Sequence, residues 1–340
     1  MKILIIRLSA IGDIVMASPL VSALQQRFPE AEINWLVQPE SAPLLRDHPQ
    51  IKQVVIWDKN GWDSLRKDFR LIQLFKKIRT FKAEMQAQDY DLVLDCQGLL
   101  KSGFLAWLTG AKKRIGLGSK EGSQYLMTEV IDRGGDQDQI GSEYRYLATE
   151  LGCDTTEFPM QLHTAATATE AATDLLAGLK QVAIISPFTT RPQKHWFNDA
   201  WITLTGLLKE RGYSVVMLGG PGDLEASQKI AENADVINLV GKTDLPTAVA
   251  VIKQAELQVG VDTGLTHMGI AQNLPVVALF GSTRPYLKTD NPLARVIYHD
   301  LSCAPCKRKP VCGGAFHCMR EITAAEVMTQ VQKITTMAVT

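Results

Sequence analysis

The sequence has no long apolar run, no excess of one charge and few cysteines. No stretch approaches the roughly 20 apolar residues of a transmembrane helix, and Arg7 and Asp13 interrupt the apolar N-terminal segment, which argues against a signal peptide or an anchor. Lys and Arg total 36 and Asp and Glu total 36, and this zero net charge argues against a nucleic-acid binder. Six cysteines are too few for a disulfide scaffold, so we expect a cytoplasmic protein.

Short apolar segments alternate with helical patterns from the start of the chain. Residues 2–6 form an apolar run, followed by a helical pattern that ends at Pro29. A buried strand that leads through a tight turn into a helix is typical of a parallel α/β fold. Further strands are predicted at residues 33–37, 54–57 and 92–95. Residues 1–165 therefore predict one Rossmann-like domain.

The alternation restarts after residues 150–180, a stretch rich in threonine and alanine that predicts a linker. Strands are predicted at residues 182–185, 215–218, 257–261 and 276–280, with a helix at 201–208. Two such sets of strand–helix units predict two Rossmann-like domains facing each other across a cleft, the second at residues 176–320. We expect the helical segment 322–339 to pack back on the first domain.

Polar loops follow several of the predicted strands, at the carboxyl ends where parallel α/β sheets bind ligands. Asp13 follows the first strand near a helix N-terminus, where the macrodipole favours a charged carboxylate. It is a candidate general base, although a helix-capping role explains it as well. Thr189, Thr190 and Lys194 follow the strand at 182–185, and their hydroxyl and ammonium groups suit a diphosphate.

Two further loops of the second domain carry candidate residues. A glycine-rich turn precedes Asp223 and Glu225, either of which could accept hydrogen bonds from a ribose, although a simple tight turn is an equal alternative. The other loop precedes an apolar helix whose first N–H groups suit an anion. It contains Asp262, Thr263, Gly264 and His267.

Together these motifs resemble the ADP-heptose:lipopolysaccharide heptosyltransferases, glycosyltransferase family 9. The resemblance covers residues 1–285, and its third motif is most similar to the heptosyltransferase I branch. The motifs are Gly12-Asp13, Asp95-x-Gln97-Gly98-Leu99-x-Lys101-Ser102, Thr189-Thr190-Arg191-x-x-Lys194-His195-Trp196 and Asp262-Thr263-Gly264-x-x-His267.

The resemblance implies a GT-B fold, with an acceptor-binding N-terminal domain and a nucleotide-sugar-binding C-terminal domain. It implies inverting transfer of a heptose from ADP-heptose to a Kdo or heptose residue of the lipopolysaccharide inner core, with no cofactor required. Asp13 occupies the place of the catalytic base, and Glu225 or Asp223 would hold the ribose. The remaining implied nucleotide-sugar contacts are Thr189, Thr190, Lys194, Asp262, Thr263, Gly264 and His267.

The segment 59–82 carries eight basic and two acidic residues, with aromatic residues interleaved. Such a segment suits an anionic glycolipid of the lipid A–Kdo type at a membrane surface, although a solvated helix is the simpler alternative. Arg66 and Arg70, with Gln97 and Lys101, are the candidate acceptor-binding residues. We therefore expect a cytoplasmic enzyme, peripheral on the cytoplasmic face of the inner membrane.

Four of the six cysteines lie close together near the C-terminus: Cys303, Cys306, Cys312 and Cys318. Cys-x2-Cys followed by two more thiols has the composition of a structural zinc or iron site, but the spacing of the second pair is not that of a zinc ribbon. Reduced thiols in an ordinary loop are the alternative. No catalytic role is assigned to this cluster.

Two other functions share this architecture. A GT-B-like nucleotide-sugar epimerase would need further acids and bases around the sugar, which the sequence does not reveal. A non-catalytic nucleotide-sugar binder would not depend on Asp13 at all. Replacement of Asp13 therefore separates a transferase from a binder.

Overall fold

The computed structural model describes residues 1–339, which form two compact units. The first unit comprises Met1–Gln137 and Gly141–His163, and the second comprises Asp138–Ile140 and the chain from Thr164 onward. Each unit contains one six-stranded sheet, and every strand pair in both sheets is parallel. The predicted α/β class is confirmed. None of the helices in this part of the chain is long and apolar enough to cross a membrane.

The sheet of the first unit has the strand order β3-β2-β1-β4-β5-β6. Its strands are β1 (Lys2–Ile6), β2 (Glu32–Val37), β3 (Ile51–Ile56), β4 (Leu92–Asp95), β5 (Lys113–Leu117) and β6 (Glu129–Ile131). The helices are α1 (Ile11–Ala17), α2 (Pro19–Arg27), α3 (Lys59–Lys67), α4 (Leu71–Ala87), α5 (Leu100–Leu108) and α6 (Ser142–Glu150).

Helices cover both faces of this sheet, which explains why its central strands are continuously apolar. In β1, Ile3 and Ile5 belong to a buried cluster with residues of α1, α2 and α6. Leu4 and Ile6 point to the other face and pack with residues of α4 and α5. Because successive side chains of a strand alternate between faces, both sets must be apolar.

The sheet of the second unit has the order β12-β11-β10-β7-β8-β9. Its strands are β7 (Val182–Ser186), β8 (Ser214–Met217), β9 (Ile237–Asn238), β10 (Leu257–Val261), β11 (Val276–Phe280) and β12 (Ala294–Tyr298). Its helices are α7 (Ala166–Leu175), α8 (Asn198–Lys209), α9 (Leu224–Ala231), α10 (Leu245–Lys253), α11 (Gly264–Ala271), α12 (His317–Arg320) and α13 (Ala324–Val339).

The position of α13 corrects the expectation that the C-terminal helix packs on the first domain. It belongs to the second unit, where it packs against α8 and β11. Val327, Val331 and Ile334 are fully buried with Trp201 and Leu204 of α8. These side chains recur every three or four residues, so they form one apolar stripe that covers the sheet of its own unit.

The segment expected to be a linker contains a helix. Helix α7 begins at Ala166, three residues after the first unit ends, and packs against α10. Its buried side chains are Ala168 and Ala172. Alanine is small enough to permit close helix packing but too weakly apolar to give a clear hydrophobic pattern, which is why the periodicity was not visible.

Four strands have no counterpart among those predicted from the sequence: β5, β6, β9 and β12. Three of them, β6, β9 and β12, are edge strands. An edge strand is covered less completely than a central one and needs no continuous apolar run. Strand β5 begins with Lys113 and Arg114, which interrupt the apolar pattern on which the prediction rested.

Candidate functional site

The strand order reverses direction at one point in each sheet, and the predicted polar loops after β1, β4, β7 and β10 lie there. In the first unit β1 and β4 are neighbours at the centre of the sheet. Strands β2 and β3 follow on the side of β1, and β5 and β6 follow on the side of β4. In the second unit β7 and β10 occupy the same topological position. Such switch points leave a crevice outside the carboxyl ends of the two strands, where α/β proteins bind ligands.

In the first unit, residues 7–10 form the loop that leads from β1 into α1 and is called here the Asp13 loop. The first turn of α1 presents the carboxylate of Asp13 with one oxygen bound. Oδ2 accepts a hydrogen bond from the Ala10 N–H (3.2 Å), which caps α1, and forms an ion pair with the buried guanidinium of Arg7. Arg7 in turn donates to the carbonyl of Cys96, which directly follows the neighbouring strand β4 (2.9 Å). Oδ1 has no partner among residues 1–339, and the side chain is 34% exposed. Asp13 therefore both caps a helix and offers a free carboxylate oxygen.

Gln97, predicted to bind the acceptor, holds the backbone of the Asp13 loop. Its Oε1 accepts hydrogen bonds from the N–H groups of Leu8 (3.1 Å) and Ser9 (3.3 Å). The buried carboxylate of Asp95 fixes Gln97 by accepting its backbone N–H (3.0 Å) and also accepts the Ser102 hydroxyl (2.9 Å). The two neighbouring loops of this switch point are thus joined by hydrogen bonds.

The turn between Asp95 and α5 requires a glycine. Gly98 has a φ of +69°, and a Cβ at this position would lie 2.5 Å from the Leu117 carbonyl oxygen. Any other residue would be strained and would displace the backbone on which Gln97 sits. Asp95 Oδ1 also accepts the Gly98 N–H (3.1 Å), which secures this conformation.

Lys101 lies on α5, close enough to Arg7 for their charges to interact. Its side chain is half-buried, and its ammonium group forms no ion pair with any of residues 1–339. Burial, together with the neighbouring charge of Lys59, lowers the pKa of Lys101. Arg66 and Arg70 lie on the exposed α3–α4 hairpin, where Arg66 pairs with Asp63 (3.4 Å). The unpaired ammonium group of Lys101 could therefore contact an anionic ligand at this switch point.

In the second unit, the carboxylate of Asp262 after β10 is bound on both oxygens. Lys194 Nζ lies 2.5 Å from Oδ2, and the Thr283 hydroxyl donates to the same oxygen (2.6 Å). His267 Nε2 lies 3.5 Å from Oδ1, while its Nδ1 contacts the Tyr286 hydroxyl (2.9 Å). Burial acts to raise the pKa of Asp262, but His267 and Lys194 outweigh it and hold this pKa well below its usual range. The carboxylate thus stays charged and positions a cation at the switch point.

The predicted threonines and glycine surround this ion cluster. The Thr189 hydroxyl donates to the Asp262 carbonyl oxygen (3.4 Å), whereas Thr190 is exposed in the same loop. Thr263 is the N-cap of α11 but makes no side-chain capping bond, and Gly264 is the first residue of that helix. Hydroxyl groups, a lysine and a helix N-terminus together form a site that can receive phosphate oxygens.

Glu225 and Asp223 follow β8, one strand along from β7. Asp223 accepts the Gly220 N–H (2.9 Å) and stabilises the turn, so its carboxylate is partly committed. Glu225 is largely exposed, and its carboxylate pairs with Lys229 (3.3 Å) on the next turn of α9. Of the two, Glu225 is the one open to solvent.

The sequence profile of glycosyltransferase family 9 (heptosyltransferase) matches residues 78–314. The chain belongs to glycosyltransferase family 9. Membership in this family makes the protein a glycosyltransferase and confirms the predicted family and enzyme class.

Relatives of this family 9 enzyme match it over most of its length. Lipopolysaccharide heptosyltransferase 1 of Pseudomonas aeruginosa is 28% identical over 325 residues, which cover 91% of this chain and 87% of the relative. The structure of the family 9 glycosyl transferase from Veillonella parvula superposes with a TM-score of 0.86 at 20% identity, covering 98% of this chain and 97% of that one. E. coli heptosyltransferase WaaC with ADP-2-deoxy-2-fluoro heptose gives a TM-score of 0.74 at 25% identity, covering 98% and 99%. The predicted GT-B type of fold is confirmed.

Three residues of the family 9 enzyme's switch points were not singled out from the sequence. Arg7 ends the apolar run of the first strand, and its charge inside a buried segment is a usable signal. Thr283 and Tyr286 follow β11, which neighbours β10 in the sheet. Their loop was identifiable as polar, but its adjacency to Asp262 depends on the strand order.

The cysteine cluster of this family 9 enzyme lies in the second unit, in the segment between β12 and α13. Cys318 is buried, and all four thiols are free. Burial and the other three cysteines raise the pKa of Cys318, so the thiols lie within electrostatic range of one another. Within residues 1–339, however, no group of three His, Cys, Asp or Glu side chains is arranged to hold a metal ion. The thiols as placed do not fit a metal, and a structural metal site stays a prediction.

Proposed function

We propose that this glycosyltransferase moves a heptose, with inversion, from ADP-heptose to a Kdo or heptose residue of the lipopolysaccharide inner core. The observation that carries the proposal is the contrast between the two switch points. One presents a carboxylate with an unbonded oxygen, Asp13, and the other presents Lys194 beside hydroxyl groups and a helix N-terminus. A base and a diphosphate site are the two elements that an inverting transferase needs.

Asp13 is proposed as the general base. The acceptor hydroxyl gives its proton to Oδ1, and its oxygen forms the new bond to the anomeric carbon of the heptose. The bond from that carbon to the β-phosphate oxygen breaks, and ADP leaves with the electron pair. The ion pair with Arg7 and the Ala10 N–H bond hold Oδ2, so that the carboxylate is oriented with Oδ1 outward.

The second unit is proposed to bind the donor. Lys194, with Thr189, Thr190 and the N-terminus of α11 at Thr263 and Gly264, would receive the diphosphate and stabilise its developing charge. Asp262 orients Lys194 and His267 and so contributes to donor binding through them. The two ring nitrogens of His267 contact Asp262 and Tyr286, so this side chain helps to hold the Asp262 carboxylate in place.

The exposed carboxylate of Glu225 is proposed to accept hydrogen bonds from the ribose hydroxyls. Strand β8 lies beside β7, so the loop that carries Glu225 extends the site along the sheet edge from the diphosphate loop. This order along the edge matches the order of ribose and diphosphate in ADP.

The first unit is proposed to bind the acceptor, an anionic glycolipid of the lipid A–Kdo type. Lys101 and the amide nitrogen of Gln97 lie beside the Asp13 loop, where they can contact sugar carboxylates. Arg66 and Arg70 on the α3–α4 hairpin would contact the more distant anionic groups. Because this acceptor is anchored in lipid, the enzyme would work as a peripheral protein on the cytoplasmic face of the inner membrane.

The cysteine cluster is proposed to be structural rather than catalytic, holding zinc or iron only if the loop rearranges. Elemental analysis of protein purified without a histidine tag decides this. Less than about 0.2 equivalents of zinc or iron would argue for free thiols.

A transfer assay tests the proposed function. The enzyme is incubated with ADP-heptose and defined lipid A–core acceptors that end in Kdo, in a first heptose or in a later core sugar. Mass spectrometry should show the addition of one heptose to one of these acceptors, and NMR of the product should show an inverted anomeric configuration. A product with retained configuration, or hydrolysis of ADP-heptose with no acceptor product, would contradict the proposal.

A further inference from the structure

The first two turns of α4 expose large apolar side chains to solvent. Phe69, just before the helix, is 86% exposed, and Leu71, Ile72 and Phe75 are 58%, 76% and 66% exposed. The second half of the same helix is ordinary, because Phe81 and Met85 are buried in the core. The exposed group is therefore a feature of the free end of the α3–α4 hairpin.

This exposure is unusual for a surface helix. The side of α4 that faces the protein already has its own apolar residues, Leu74 and Ile78, which are partly buried. A surface helix normally carries polar residues on the opposite face. Leu71 lies three residues before Leu74 and seven before Ile78, so it borders the inward face, and Phe75 lies beside it, whereas Ile72 lies toward the outward face. The apolar surface of the first half of α4 therefore extends from the inward face around one flank of the helix. Contiguous exposed apolar surface of this kind marks an interaction site.

Basic residues surround the apolar group: Arg66, Lys67, Arg70, Lys76, Lys77 and Arg79. Arg66 and Lys77 pair with Asp63 and Asp58. The other four form no ion pair with any residue in the described part of the chain. The hairpin end thus combines uncovered apolar side chains with uncompensated positive charge.

We propose that the end of the α3–α4 hairpin inserts into the interface of an anionic lipid bilayer, with Phe69, Leu71, Ile72 and Phe75 among the acyl chains and the basic residues at the head groups. The inference deepens the proposed function, which places the acceptor in a membrane. Amphipathic segments with aromatic and aliphatic residues beside Lys and Arg bind such interfaces in this way. Each basic residue near an anionic surface strengthens binding by roughly fivefold.

The charge argues against a second copy of this chain as the occupant. In a symmetric dimer the same surface of both subunits would meet, so the four unpaired cations of one hairpin would face those of the other. Such like-charge contacts are unfavourable, whereas anionic head groups neutralise the cations. The lipid surface is therefore the occupant that the observations favour.

Vesicle binding by the full-length protein tests this, with no sugar nucleotide or acceptor present. Vesicles of phosphatidylethanolamine and phosphatidylglycerol are compared with vesicles of phosphatidylcholine alone. We expect binding to the anionic vesicles, and at least about a tenfold loss in the double variant Phe69→Ser/Ile72→Ser. Lys76→Glu/Arg79→Glu should weaken binding to the anionic vesicles by at least about 25-fold.

Val311→Ser is the matched control, because Val311 is 78% exposed in the second unit. It should bind vesicles like the wild type. Equal vesicle binding by the wild type and the double serine variant overturns the proposal, as does a wild type that binds neither kind of vesicle. A wild-type oligomer that the double serine variant converts to monomers overturns it too, because a protein would then be the occupant.

Kinetics separate this inference from the proposed function. With a water-soluble, deacylated acceptor the double serine variant should turn over like the wild type, and with acceptor embedded in vesicles its rate should fall. Vesicle binding without any transfer would contradict the proposed function and leave this inference supported. Heptose transfer by the wild type, together with vesicle binding that the serine substitutions leave unchanged, would support the proposed function and contradict this inference.

Discussion

The two units of this enzyme have the same topology but use a switch-point carboxylate in different ways. In the first unit, Asp13 has one oxygen bound by Arg7 and the Ala10 N–H and one oxygen without a partner. In the second unit, Asp262 is bound through both oxygens by Lys194, His267 and Thr283. A carboxylate with a free oxygen can accept a proton, whereas one that is fully bound can only position its partners.

The position of a loop in the sheet locates a site but does not define its chemistry. Both carboxylates follow a central strand, and both have a cation as neighbour. The difference lies in the number of groups that converge on each one. Changes in the first unit should therefore affect turnover, and changes in the second should affect donor affinity.

Loss of the free carboxylate in the first unit should have the largest effect. Asp13→Asn should lower kcat by at least about a hundredfold, since a general base contributes roughly 10²–10⁴. The fold should persist, because the amide oxygen can still accept bonds from Arg7 and the Ala10 N–H. Measurements are kcat, the affinity for ADP-heptose, which should barely change, and the melting temperature.

Asp174→Asn, in an exposed position of α7, serves as the control and should behave like the wild type. If Asp13→Asn retains more than about a tenth of wild-type turnover, Asp13 is not the base. If the Asp13→Asn variant loses stability but retains turnover, Asp13 acts only as a cap of α1.

Removal of the cation in the second unit should have the next largest effect. Lys194→Met should weaken ADP binding by about 10–100-fold, because charge-assisted hydrogen bonds are worth roughly 1.5–3 kcal/mol. Calorimetric titration with ADP measures this, with the exposed Lys253→Met as the control. Unchanged ADP affinity with reduced turnover would contradict the division of roles between the two units.

Loosening the Asp13 loop should have a smaller effect, confined to turnover. Gln97→Ala removes the acceptor for the Leu8 and Ser9 N–H groups, at a cost of roughly 1–3 kcal/mol in local free energy. We expect about a tenfold lower kcat with the affinity for ADP unchanged. Gln97→Glu keeps an oxygen acceptor and should restore much of the loss, while the exposed Gln73→Ala should change nothing. A variant with weakened ADP binding would show that the two switch points are not independent.

The smallest effect on catalysis is expected at Asp95, whose role is in stability. Burial raises the pKa of Asp95 to about 6, although the hydrogen bonds from Gly98, Ser102 and Gln97 act to lower this pKa. Because this folded-state pKa exceeds that of an unfolded aspartate, about 3.9, the native protein binds the proton more tightly. The resulting stabilisation is fully present below about pH 4 and is lost as the pH rises through about 6.

Asp95→Asn should remove this dependence. The difference between the free energies of unfolding of the variant and the wild type should shift by roughly 1–3 kcal/mol in favour of the variant between pH 4 and pH 7, because only the wild type loses stability over this range. Denaturant titrations across this range measure the difference. A difference that is the same at every pH would show that the pKa of Asp95 is not raised.

Local sequence patterns were sufficient to predict the central strands and the loops that carry the site. The strand at residues 92–95 coincides with β4, and those at 257–261 and 276–280 coincide with β10 and β11. Strands that are buried on both faces must be apolar throughout, so they are visible without knowledge of their neighbours. The polar groups that interrupt such a pattern at Asp13, Thr189 and Asp262 stand out for the same reason.

The fold class, the central strands and the candidate loops are predictable from the sequence, because each depends on a contiguous run of residues. Which loops are neighbours depends on how the strands are ordered in each sheet, and the sequence pattern does not show that order. The pairings of Arg7 with Asp13, of Thr283 with Asp262 and of Gln97 with the Leu8 backbone depend on strand order. The same holds for the edge strand β12 and for α13, whose apolar stripe shows that it packs but not on which sheet. Strand order and helix docking arise from contacts between distant segments, and hydrophobic periodicity carries no information about those partners.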